Sequence, residues 1–172
     1  MFRDSHPVHE KVGKIFKEAI PTESNLTLLL DQVCGGTEHI PLFCSPEKSR
    51  ANVFCNVDLL LLKNDEVKII VEIEESDVKP TQICGKMLTS ALSSHYIHQN
   101  SGNKPVKMAD SVLFIQVVDT SSLVIDRTAK VGQWRALEKS IRNVLPINKI
   151  TEYRLLTTDE LKNIKELIKQ FL

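Results

Sequence analysis

The sequence predicts an α/β protein: a three-layer α/β/α sandwich around a mixed central sheet. Three observations predict it. Residues 53–62 and 111–119 are nearly continuous in apolar residues, the composition of strands covered on both faces. Other segments repeat apolar residues at helical spacing, such as Ile83, Met87, Ala91 and Val131, Trp134, Leu137, Ile141. Strands first follow one another directly and later alternate with helices, which joins a meander to a crossover-linked part of one sheet.

In chain order, Val8, Val12, Ile15, Phe16 and Ala19 mark a helix over 7–20 that Pro21 ends. Ser24 is placed to cap a second helix carrying Leu26, Leu28, Leu29, Leu30 and Val33, stopped at Gly35-Gly36. Residues 39–44 suit a short strand, and Pro41 makes it an edge or irregular one. Residues 53–62 read as one strand, 63–66 as a turn and 67–74 as the return strand. Pro80 opens a long helix to about Tyr96. Residues 98–107 read as a loop and 111–119 as a buried strand. A helix through Val131 and Trp134 ends before Pro146, and residues 150–156 form a short strand. Thr157 and Glu160 then make a capping box for a last helix with Leu161, Ile164, Leu167, Ile168 and Phe171.

A chain of 172 residues without a repeat or linker reads as one domain, 1–172. Lys+Arg and Asp+Glu number 22 each, so no strong net charge points to nucleic acid. A local basic patch remains compatible with that balance. No run reaches the ~18 apolar residues of a membrane span. The start, Met1-Phe2-Arg3-Asp4-Ser5-His6-Pro7, has no apolar stretch, so the expectation is a cytoplasmic protein. Cys34, Cys44, Cys55 and Cys84 include no CxxC pair, and Cys55 and Cys84 read as small buried hydrophobes.

The chemistry-bearing feature is a set of acids at strand ends. Asp58 interrupts the first apolar run, and Glu72 and Glu74 close the second. Alternate residues of a strand point the same way, so Glu72 and Glu74 share a face. Asp58 joins that face only with an odd hairpin loop, such as Asn64-Asp65-Glu66, or a β-bulge near Asp58. Carboxylates so gathered suit Mg²⁺ or Mn²⁺, with Asp58 and Glu72 as metal ligands. Glu74 would be a further ligand or the acceptor of a proton from water.

This pattern resembles the PD-(D/E)xK nucleases, the restriction endonuclease-like superfamily. The likeness covers roughly residues 7–118, as a helix, three strands, a helix and a strand. It implies a metal-dependent nuclease hydrolysing DNA phosphodiester bonds. Asp58 matches the acid of the second strand and Glu72 that of the third. Glu74 stands where the family usually has lysine, and Val57 stands where its name has proline. The resemblance allows the lysine to come from the next helix, as Lys86 or Lys79, and places Gln82 as a phosphate contact. It also implies a first-helix acid, for which Glu10 is nearest and His9 and Glu18 are rivals. Arg50 and Lys48 are candidate DNA-backbone contacts, and a homodimer is compatible with it.

Blander readings stand beside these. Asp58 is also explained as a bend residue bonded to backbone, and Glu72 and Glu74 as a solvated strand end facing Lys68. Gln82 and Lys86 also suit a wet helix face. The missing lysine and neutral charge equally suit a decayed nuclease fold serving as a nucleic-acid- or protein-binding subunit.

Overall fold

The computed structural model describes residues 6–21, 25–76, 78–98, 102–121, 123 and 127–172. Helix α1, Pro7–Ala19, starts on Pro7 and buries Val8, Val12 and Phe16, the stripe its spacing predicts. Gly13 lies on the same side. A Cβ there would stand 2.1 Å from the Cys34 carbonyl oxygen, so only glycine lets α1 lie this close to that loop.

The predicted second helix is a strand. Leu26–Leu30 form β1, antiparallel to β4, Leu59–Lys63, with Leu26 opposite Lys63 and Leu30 opposite Leu59. A run this rich in leucine has no period that separates helix from strand, and pairing with β4 decides it. Ser24, the expected cap, lies outside the described residues.

Residues 53–62 are likewise two strands. β2, Pro41–Phe43, pairs with β3, Val53–Asn56, on one side and with β6, His95–His98, on the other. The chain then leaves this wing at Val57-Asp58. Val57 N–H donates to Ile40 O at 3.0 Å, and Asp58 O accepts from Asp31 N–H at 3.0 Å. β4 begins only after that step. Pro41 opens an inner strand rather than an edge one, and the register slips between Leu42 and Phe43.

β4 and β5, Glu66–Glu74, are joined by Asn64-Asp65 alone, both at positive φ (53° and 60°), the backbone of a tight two-residue hairpin. Leu62 pairs with Val67 but Leu61 with Ile69, so Lys68 is the extra residue of a β-bulge. The slip carries Leu59 onto Val71 and leaves Asp58 in line with Glu72. The bulge that the shared carboxylate face required is therefore present, nearer the hairpin than Asp58. Its residue is tied down, with Lys68 Nζ donating to Ser111 O at 2.9 Å and lying 4.5 Å from the Phe171 ring centre.

Helix α2, Pro80–Leu92, stops short of Tyr96, which belongs to β6. The predicted loop is shorter too, because β7 runs from Lys104 to Val118. Its first part pairs antiparallel with β6, and its last part runs parallel to β5 and to β8, Ile150–Thr157. β7 thus belongs to both wings. The main sheet has the order β1-β4-β5-β7-β8, and β3-β2-β6 extends the other end of β7. Helix α3, Arg127–Asn143, precedes β8. The capping box is present, with Glu160 Oε2 accepting from Thr157 N–H and Oγ1–H at 2.9 Å each. It opens a short 3-10 helix, Thr158–Asn163, before α4, Ile164–Phe171.

Two apolar layers line the sheet. On one face Leu60, Ile70 and Phe114 meet Ile83 and Met87 of α2 and Trp134 and Ile141 of α3. On the other, Leu59, Ile69 and Ile115 meet Val12 and Phe16 of α1 and Ile164 and Ile168 of α4. Glu72 and Glu74 continue the row of Ile70, on the α2 face. All four cysteines are free; Cys34 is buried, whereas Cys84 is exposed and Cys55 half-buried, contrary to expectation.

Candidate functional site

The site lies where β4 begins and β5 ends. β4 starts at Leu59, so Ile73 N–H of β5 has no strand carbonyl across from it. Asp58 Oδ2 takes that N–H at 2.6 Å. The backbone-bonded bend is therefore part of what Asp58 does. Its carboxyl is pushed up by burial, an effect that Lys86, His9 and the Ile73 N–H only partly offset.

Glu72 is 1% exposed and Glu74 8%. From α2, Lys86 Nζ reaches Glu72 Oε2 at 2.8 Å and Glu74 Oε1 at 2.8 Å. The shared face is real, and its cation is Lys86 rather than Lys68, which is engaged elsewhere. Glu72 Oε1 is buried and accepts no hydrogen bond. Burial and the neighbouring Asp58 push the Glu72 carboxyl up to about 8 in spite of Lys86. For Lys86 burial is again the largest single effect, but the balance goes the other way. Burial works against its charge, but Glu72 and Glu74 outweigh it and raise its pKa above the usual lysine range.

Other predicted residues lie around this centre. Gln82 Oε1 accepts the Lys79 N–H at 2.9 Å, so that side chain closes the first turn of α2. Lys79 and Gln82 are exposed there. Arg50 is exposed in the turn before β3, on the other wing, and Lys48 beside it donates to Asn103 Oδ1 at 2.7 Å. On α1, Glu10 is exposed and Glu18 pairs with Lys165 at 2.9 Å. The residue of α1 that reaches inward is His9, with Nε2 3.8 Å from Asp58 Oδ2.

Sequence reasoning missed Glu75 and His6. Glu75 Oε1 accepts Val8 N–H at 2.7 Å and His9 N–H at 2.9 Å, and lies 2.9 Å from His9 Nδ1. It is a helix cap supplied from the end of a strand, because His6 at the start of α1 offers no side-chain cap. Burial raises the Glu75 carboxyl, but His9 and these N–H groups outweigh it and hold it below the usual range. His6 Nδ1 stands 3.3 Å from Glu75 Oε2. The signal was available: two histidines three apart at a helix start, and a third acid directly after Glu74.

No family model, curated protein or solved structure matches the chain. The chemistry of these side chains therefore carries the functional reading.

Proposed function

We propose that the protein is a divalent-metal-dependent nuclease of the PD-(D/E)xK kind, hydrolysing DNA phosphodiester bonds. The observation that carries this reading is the gathering of Asp58, Glu72, Glu74 and Lys86 at one end of the β4–β5 hairpin. The element order supports it as well. α1, antiparallel β1, β4 and β5, α2 and parallel β7 fit the helix, three strands, helix and strand of that reading, with β2 and β3 interposed before β4 and β6 before β7. β1, rather than residues 39–44, takes the place of the first strand.

The residues fit Mg²⁺ or Mn²⁺. The donors are carboxylate oxygens, the ligands such hard cations prefer, and buried Glu72 Oε1 has no partner of its own. Asp58 and Glu72 would hold the ion. When bound, it would polarise the phosphodiester and lower the pKa of a coordinated water. Glu74 would accept a proton from that water at a carboxylate oxygen. Lys86, released from the acids, would set its ammonium against the charge that develops on the phosphate. Lys79, Gln82 and Arg50 would meet the DNA backbone, and a homodimer would present two such sites to a duplex.

The direct test is cleavage of plasmid, branched and single-stranded DNA with Mn²⁺, using wild type, Asp58→Ala and Glu72→Ala. Cleavage by the wild type, lost in both variants, is expected. Activity that survives both removes the assignment.

One observation favours a second reading. Lys86 already pairs with Glu72 and Glu74, as it would in a fold that has given up catalysis and only binds nucleic acid or protein. Calorimetry with Mn²⁺ separates the two. Uptake that Asp58→Ala abolishes supports the nuclease. No uptake, with DNA still bound, supports the binding subunit. Among the described residues no helix is long and apolar enough to cross a membrane.

A further inference from the structure

The start of α1 meets the end of β5 through a second group of ligating atoms. We propose that His6, His9 and Glu75 form a separate cation site of the Zn²⁺ class, which pins the first turn of α1 to the sheet. Their ligand atoms all lie within 4.8 Å of one another. Ligands ~2.0–2.1 Å from a tetrahedral ion stand about 3.3–3.4 Å apart. His6 Nδ1 and Glu75 Oε2 are 3.3 Å apart, already at that spacing. His9 Nδ1 is closer, 2.9 Å from Glu75 Oε1, and completes the set by turning from that oxygen to the ion.

Helix capping explains only half of this arrangement. It accounts for Glu75 Oε1, which holds the Val8 and His9 N–H groups. It does not account for Oε2 facing His6, or for two imidazoles packed edge to face, 5.3 Å apart at 76°, over one carboxylate. With a cation on Oε2, Oε1 keeps its N–H donors, and those bonds orient the ligand. The positive end of α1 opposes a cation here, and the Glu75 charge offsets it.

The donor set identifies the class. Two imidazole nitrogens and one carboxylate suit Zn²⁺, Co²⁺ or Ni²⁺ and suit Mg²⁺ poorly. That separates this site from the all-carboxylate one, and it does not depend on the nuclease reading. The His6 side chain is 43% exposed, which leaves water access to a fourth position. Binding at His9 Nδ1 would also place that ring's proton on Nε2, facing Asp58.

The test titrates metal-free full-length protein with Zn²⁺ by calorimetry and with Co²⁺ by visible absorption. One equivalent with the Co²⁺ bands of a low-coordinate site is expected at this centre, and any further equivalent, if the carboxylates also take the ion, should be lost in Glu72→Gln. His6→Ala, which leaves the Glu75 cap in place, should weaken binding at least about 100-fold with unchanged circular dichroism. Glu72→Gln should leave binding at this centre unaltered. Absence of Zn²⁺ uptake by the folded wild type, or uptake indifferent to His6→Ala, overturns the proposal. Uptake lost in Glu72→Gln but kept in His6→Ala would assign the ion to the carboxylates, ending this proposal without touching the nuclease reading.

Discussion

Lys86 Nζ lies 2.8 Å from Glu72 Oε2, and the same ammonium lies 2.8 Å from Glu74 Oε1. One half-exposed cation thus compensates two buried acids that adjoin Asp58. Whatever enters this site must compete with that lysine or work alongside it.

Lys86→Met should therefore destabilise the fold. Removing one partner of a fully buried pair costs roughly 3–5 kcal/mol. The Lys86 side chain is 38% exposed, so water softens the loss to about 1–3 kcal/mol. Urea denaturation measures it. If the acids hold a metal, Mn²⁺ should raise the Tm of Lys86→Met more than that of wild type, because the competing ammonium is gone. Equal shifts would count against ligation by Glu72.

Glu72 gives the fold a pH dependence of definite sign. Its carboxyl is pushed from 4.5 to about 8 by burial, so between those values the folded state keeps a proton that the unfolded chain has released. Its contribution to stability is full below about 4.5 and falls as pH rises through the window, levelling off above about 8. Glu72→Gln should flatten the curve and be the more stable form at pH 8, by about 1–3 kcal/mol. Parallel unfolding curves for the two proteins would refute this.

Asp58 has a structural task that can be separated from its charge. Asp58→Ala strands the Ile73 N–H and should cost about 1–3 kcal/mol. Asp58→Asn keeps an oxygen acceptor and should cost under about 1 kcal/mol. On the nuclease reading both abolish Mn²⁺-dependent cleavage. An active Asp58→Asn would show that the carboxylate serves only the backbone.

Gly13→Ala should destabilise although it sits in a helix interior, where alanine normally gains about 1 kcal/mol. The added methyl would lie 2.1 Å from a backbone oxygen of Cys34, which cannot swing aside. A net loss of about 2 kcal/mol is expected, read as a lower urea midpoint. Gly85→Ala, with nothing within 4 Å of its Cβ position, is the control and should be neutral or stabilising.

The stretches legible in the sequence are those whose signal is local. The Val8–Val12–Phe16 stripe, Pro80 at a helix start and the Thr157–Glu160 box depend on spacing of a few residues, and each is present, the box opening a 3-10 helix ahead of α4. Leu26–Leu30 and residues 95–98 failed for the opposite reason. The leucine run suits either period and His95-Tyr96-Ile97-His98 shows neither, so pairing with strands elsewhere in the chain settles both.

At the site, the chain by itself determined that Glu72 and Glu74 share a face, because a strand alternates its side chains wherever it lies. It also set a parity condition on Asp58 that some bulge or odd loop had to meet. Only the tertiary structure decided which one: the slip at Lys68, held by Ser111 and Phe171 from other elements. It likewise chose Lys86 over Lys68 as the cation, His9 over Glu10 as the inward residue of α1, and Glu75 as the cap of a helix 66 residues away. These outcomes depend on where separate elements come to rest. Packing of two apolar layers against one sheet fixes that, and no local run of residues encodes it.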